Sequence, residues 1–117
     1  MEKKVISEID YLLIEEVKAL RIKKGISKAK LSSKLKLAGS FVGKVEDLSQ
    51  RDKYSIRHLP LLVKALGLKS IGQLFPSTPV KNMIEITYEK IPKLNKDGSE
   101  SKQFVEKIIQ IIEVEEQ

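Results

Sequence analysis

A chain of 117 residues with 22 Lys and Arg against 16 Asp and Glu carries a formal net charge of +6, and it has room for one ordinary core plus an appendage. It has no cysteine, which excludes disulfides and thiolate metal sites. No apolar run approaches the roughly 20 residues that span a bilayer, and the opening MEKKVISEID lacks the apolar segment of a signal peptide, so a cytoplasmic protein is expected.

The charge is unevenly placed. Residues 17 to 64 carry 13 Lys and Arg against 3 Asp and Glu, and the rest of the chain carries 9 against 13. A basic middle between acidic ends attracts polyanions, whose affinity comes largely from counterions released at phosphates. The plainer reading is that lysines keep helices soluble.

In chain order, Ser7 to Lys24 reads as a first helix, with Ser7 as N-cap and Asp10 near the positive end of the dipole. Ile9, Leu13, Val17 and Leu20 recur at helical spacing and are expected to face the core; Gly25 stops the helix. The stretch SKAKLSSKLKLAGSFVGKVED, Ser27 to Asp47, then gives two short helical stripes separated by a break, Leu31 and Leu35 with Leu37, then Val42 and Val45. Ser27 is a good N-cap for the first, and the second begins near Ala38 to Ser40. With Phe41 or Val42 and Val45 on its apolar side, the second helix presents Gly39, Ser40, Gly43, Lys44 and Asp47 outward.

Leu48 to Tyr54 is polar and irregular, a loop carrying Arg51 and Lys53. Ser55 can cap a helix with Ile56, Leu59, Leu62, Val63 and Leu66 on its apolar side, but Pro60 requires that it either start near Leu59 or kink. Gly67 ends it, and Ser70 with Gln73 caps a last short turn before Phe75 and Pro76. STPVK, Ser77 to Lys81, is a linker. Beyond it Ile84, Ile86 and Tyr88 alternate with Glu85, Thr87 and Glu89 as in a half-buried strand, and Asp97-Gly98 signals a turn. Phe104 to Val114 fits a second strand or one face of a helix; the strand is preferred, giving a hairpin whose apolar face is covered by the helical domain or by the same hairpin of a second chain.

The segments VKALRIKKGISKAKLSSKL, LAGSFVGKVED and KYSIRHLPLLVKALGLKSIGQLFP resemble the lambda-repressor-like, or Xre-family (Cro/cI-type), helix-turn-helix proteins, over about half the chain from Val17 to Pro76. The resemblance is nearest to a bacterial subset with a KYxIxHL segment after the recognition helix. It implies a five-helix lambda-repressor-like domain over residues 7–76; with the C-terminal β-hairpin (or strand plus helix) read above, over residues 82–115, the expected fold is mainly α. It also implies a sequence-specific DNA-binding transcriptional regulator, a repressor that occupies its operator as a homodimer. Arg21 and Glu46 match a pair that the family often forms between its first and third helices. Three positions depart from the pattern: Ser32 for Ala, Lys36 for Gly at a left-handed turn residue, and Lys28 for Gln at the start of the second helix.

On that reading Ser40 and Lys44 donate to base edges, and Gly39 and Gly43 permit close approach. Phe41, if turned outward, contacts a thymine methyl, and Lys28, Lys36, Arg51 and Lys53 meet phosphates. The bland reading of the same residues is a solvated helix face. A second function class is an antitoxin-like or other protein-binding partner that uses residues 82–115, with DNA binding autoregulatory or lost. No enzyme is expected: His58 is the only histidine, in a predicted helix, and no nucleophile and base pair, phosphate loop or zinc spacing is visible. A calcium loop at NKDGS fails because Lys93 and Phe104 stand where carboxylates are needed. No cofactor or metal is expected.

Overall fold

The computed structural model describes residues 1–115, and the chain divides into two units, Glu8–Val80 and Met1–Ser7 with Lys81–Gln117. In the first, α1 (Glu8–Lys23) starts with Glu8 and Asp10 and ends with Arg21 and Lys23, each sign at the favourable end of the helix dipole. Its buried residues are Tyr11, Leu13, Ile14, Val17 and Arg21. Ile9, expected inside, is 40% exposed, because the helix turns inward the side that carries Arg21. Next come α2 (Lys28–Lys34), α3 (Phe41–Glu46) and α4 (Leu59–Leu66). Val17, Leu31, Leu35, Val42, Leu62, Leu66 and Leu74 are at most 1% exposed and form the core on which these helices meet.

Three helix ends share one device. After α1, the Ile26 N–H bonds the Arg21 carbonyl and the Gly25 N–H that of Ile22, with Gly25 at φ 67°. After α4, Leu68 bonds Val63 and Gly67 bonds Lys64, with Gly67 at φ 67°. After α2 the same pair of bonds runs from Leu37 to Ser32 and from Lys36 to Ser33, but the left-handed residue is Lys36 at φ 59°. Glycine accepts that conformation without strain, whereas a lysine Cβ crowds the carbonyl. Pro60 is accommodated because α4 begins at Leu59, which puts the proline in the first turn, after a separate 3₁₀ turn at Ile56–His58.

The second unit is an antiparallel sheet of order β1-β2-β3: β1 (Glu2–Ser7), β2 (Met83–Leu94) and β3 (Glu100–Val114). β1 pairs only with Met83–Tyr88, Ile6 opposite Ile84. β3 pairs with the whole of β2, Ile111 opposite Ile86, with a bulge between Thr87 and Tyr88. Gly98 at φ 88° makes the reversal. Ile6, Ile84, Ile86 and Tyr88 share one face and are buried.

A mainly α, five-helix lambda-repressor-like fold is therefore not what this chain adopts. The described residues hold four α-helices and two 3₁₀ turns, together about 38% helical, and a three-stranded sheet, about 29%. The expected fifth helix is one 3₁₀ turn, Ile71–Leu74, closed when Gln73 Oε1 accepts the Ser70 N–H at 3.2 Å and ended before Pro76. The unexpected strand is β1, with one buried apolar residue in six, too few to show as alternation; the partner on β2 makes it a strand. Ser7, read as a helix cap, is its last residue.

Relief of the left-handed lysine gives a first test. Lys36→Gly is expected to raise the unfolding free energy by about 1 kcal/mol, read as a higher urea midpoint at unchanged slope.

Candidate nucleic-acid interface

A six-residue helix is too short to hold itself, so α3 must be held by its surroundings. Three contacts do so. The Arg21 guanidinium of α1 donates Nε to Glu46 Oε2 and Nη2 to Glu46 Oε1, both at 2.8 Å, and its Nη1 to the Ile26 carbonyl at 3.0 Å. Arg21 and Glu46 are each only 8% exposed, so the pair is paired on both sides and carries α3 in one orientation against α1.

At the other end of α3, Ser40 stands at the N-cap position and makes no side-chain cap bond. The cap comes instead from α2. Ser32 Oγ donates to the Lys28 carbonyl at 2.9 Å and accepts the Val42 N–H at 3.0 Å, so one buried hydroxyl bridges the two helices. An alanine there would leave the Val42 amide without that acceptor.

The third contact is aromatic. Phe41 is half-buried, edge-on to Tyr54 (centroids 5.9 Å) and to His58 (5.2 Å), with Tyr54 and His58 at 6.4 Å. It therefore turns toward the segment after α3 and serves packing. His58 Nδ1 accepts the Ser55 N–H at 2.9 Å, so the neutral ring carries its proton on Nε2. Neither that Nε2 nor the buried Tyr54 hydroxyl meets a hydrogen-bond partner among the described residues. Burial, and then Arg57, hold the His58 pKa below 6.5. Burial, and then Glu46, push the Tyr54 hydroxyl up, with Arg21 opposing.

Gly39, Ser40 and Lys44 are exposed on the outer side of α3 and its lead-in, and Gly43 is half-buried there. A Cβ built on Gly43 would meet only Lys28 Cδ, at 3.9 Å, which brings the start of α2 beside the middle of α3. Lys28 and Lys36 are exposed at the two ends of α2. Arg51 and Lys53 are exposed in the following loop, where Lys53 lies 4.0 Å from Asp10. Ser32, Tyr54 and His58 were not among the site residues read from the sequence. Only Ser32 left a signal there, as a hydroxyl at a core position.

No protein-family model and no curated protein sequence matches the chain. Among solved structures, it is similar to the crystal structure of a hypothetical transcription factor, NHTF, from Neisseria. The identity is 22% and the TM-score 0.51, over 59% of this chain and 76% of that one. At that identity the likeness is one of fold. No described helix is long and apolar enough to cross a membrane.

Two measurements test the supports of α3. Ser32→Ala is expected to cost about 1–3 kcal/mol in urea unfolding, whereas alanine at exposed Ser33 should change it by less than about 0.5. For His58 the folded pKa is the lower one, so the unfolded chain takes up the proton first. Stability is full above pH 6.5 and declines as pH falls below it toward the folded value. The melting temperature should drop between pH 7 and 5, and His58→Gln should flatten that slope.

Proposed function

We propose that this chain is a sequence-specific DNA-binding transcriptional regulator, a repressor that engages its operator as a dimer through α2, the turn at Lys36 and α3, in the manner of Xre-type helix-turn-helix proteins. The observation that carries the reading is the two-sidedness of α3. Its inner side is tied by Glu46, Val42 and Val45. Its outer side offers Gly39, Ser40, Gly43 and Lys44, small residues and one cation, with the Lys28 chain alongside. A rigidly held helix with a low, donor-bearing outer face suits the major groove, where base edges are read. The unit bearing it, Glu8–Val80, has 14 Lys and Arg against 7 Asp and Glu, which favours a polyanion. The fold likeness to a hypothetical transcription factor supports the same reading. Occupying an operator requires no catalysis, and the proposal is of a cytoplasmic protein without enzymatic activity.

In this reading Ser40 and Lys44 contact base edges, Lys28, Lys36, Arg51 and Lys53 contact phosphates, and Phe41 supports the helix. A dimer would place two such helices on half-sites about 34 Å apart. The antitoxin-like alternative, capture of another protein by residues 82–115, draws on the exposed apolar residues of β3.

Selection of bound duplexes from a random pool should return a two-fold symmetric site; recovery of no enriched duplex at low salt would end the reading. On the selected site, Lys44→Ala should weaken cognate binding about tenfold more than non-specific binding. Lys28→Ala should weaken both alike and flatten the salt slope by about one. Gly43→Ala is the sharper probe, since the added methyl meets only ordinary contact. It should leave the fold as stable or up to about 1 kcal/mol more so, while a groove that must approach the backbone loses at least about tenfold in affinity.

A further inference from the structure

The two edges of the sheet are built differently. β1 is six residues long and begins Glu2, Lys3, Lys4, the short charged edge that deters a further strand. β3 is 15 residues long, has no proline, and exposes Phe104, Val105, Ile108, Ile109, Ile111 and Ile112 at 39–57%. These lie on both faces. Ile111, Ile108 and Phe104 stand opposite Ile86, Tyr88 and Pro92, while Ile112 and Val105 stand opposite Glu85 and Ile91. On the first face the stripe of Ile6, Ile84, Ile86 and Tyr88 is at most 2% exposed, whereas Ile111 and Ile108 beside it on β3 are 39% and 40% exposed. A lid on one face would leave the other wet; a strand laid alongside shields both. Past Tyr88, where β1 no longer pairs, β2 and β3 also run on as a two-stranded ribbon, an arrangement of marginal stability in water.

We propose that β3 pairs antiparallel with β3 of a second copy of this chain, joining two three-stranded sheets into one of six strands. Charge selects this occupant. Met1–Ser7 with Lys81–Gln117 carries 8 Lys against 9 Asp and Glu, so copies meet there without repulsion, whereas the helical unit carries 14 basic against 7 acidic residues. A parallel pairing stacks Lys107 on Lys107 and Glu113 on Glu113. An antiparallel one does not set both of these like-charged pairs on themselves. This assigns a surface to the dimer proposed above; it rests on that dimer and not on DNA binding.

The test is sedimentation equilibrium of the full chain, with amide exchange along β3. The expected mass is twice that of the chain at about 50 µM. Alternate β3 amides, those facing away from β2, should exchange at least about a hundredfold slower than open amides, and should speed up on dilution. Ile109→Lys with Ile111→Lys, which puts two cations on each side of the seam, should give a folded monomer. A monomeric wild-type chain, a dimer whose outward β3 amides exchange freely, or a dimer that survives the double substitution would each overturn the proposal. Where the double variant does not fold, the wild-type exchange pattern decides. A monomer that still binds DNA defeats only this inference, and a β3-paired dimer that ignores every duplex defeats only the DNA reading.

Discussion

The buried pair of Arg21 and Glu46 is the constraint on which the helical unit depends. Removing two charges from water is so costly that their attraction does little more than offset it, and the pair adds little net stability. What it adds is geometry. The fork of the guanidinium fits the carboxylate in one orientation, and its remaining Nη1 is held by the Ile26 carbonyl just past the end of α1. Any tilt of α3 would strand one of these charges in the interior, a penalty of about 3–5 kcal/mol. A helix of six residues thus acquires a fixed attitude that its own backbone bonds cannot supply.

Ser32 and the aromatic cluster complete what the ion pair begins. The ion pair holds the last residue of α3, the hydroxyl of Ser32 holds the amide of its second, and Phe41 at its start lies against Tyr54 and His58. All three supports are on the inner side. The outer side is left to Gly39, Ser40, Gly43 and Lys44, which bear no structural duty that would forbid contact with a ligand. The division of labour along the chain follows the same logic. The unit with excess positive charge carries the rigid helix face, and the nearly neutral unit carries the long apolar strand, each suited to a different kind of surface.

Much of this was legible in the residues. The glycines at 25 and 67 mark helix ends because only a residue without Cβ takes φ near +67° freely. Ser27 caps α2, accepting the Lys30 N–H at 3.0 Å, for a reason wholly contained in four residues. The alternation from Met83 to Ile91 and the Asp97-Gly98 turn specify β2 and its reversal locally too. Arg21 and Glu46 were flagged by family resemblance rather than by spacing, since 25 residues separate them.

What the sequence determined by itself was therefore the set of local choices: where helices stop, where the chain reverses, which residues are apolar, and where positive charge gathers. Tertiary structure decided the rest, because it turned on partners distant in the chain. β1 is a strand only because Met83–Tyr88 offers its edge, and Phe41 turns inward only because Tyr54 and His58 supply rings to meet it. Ser32 caps a helix ten residues away, and no pattern within one element encodes a hydrogen bond made between two.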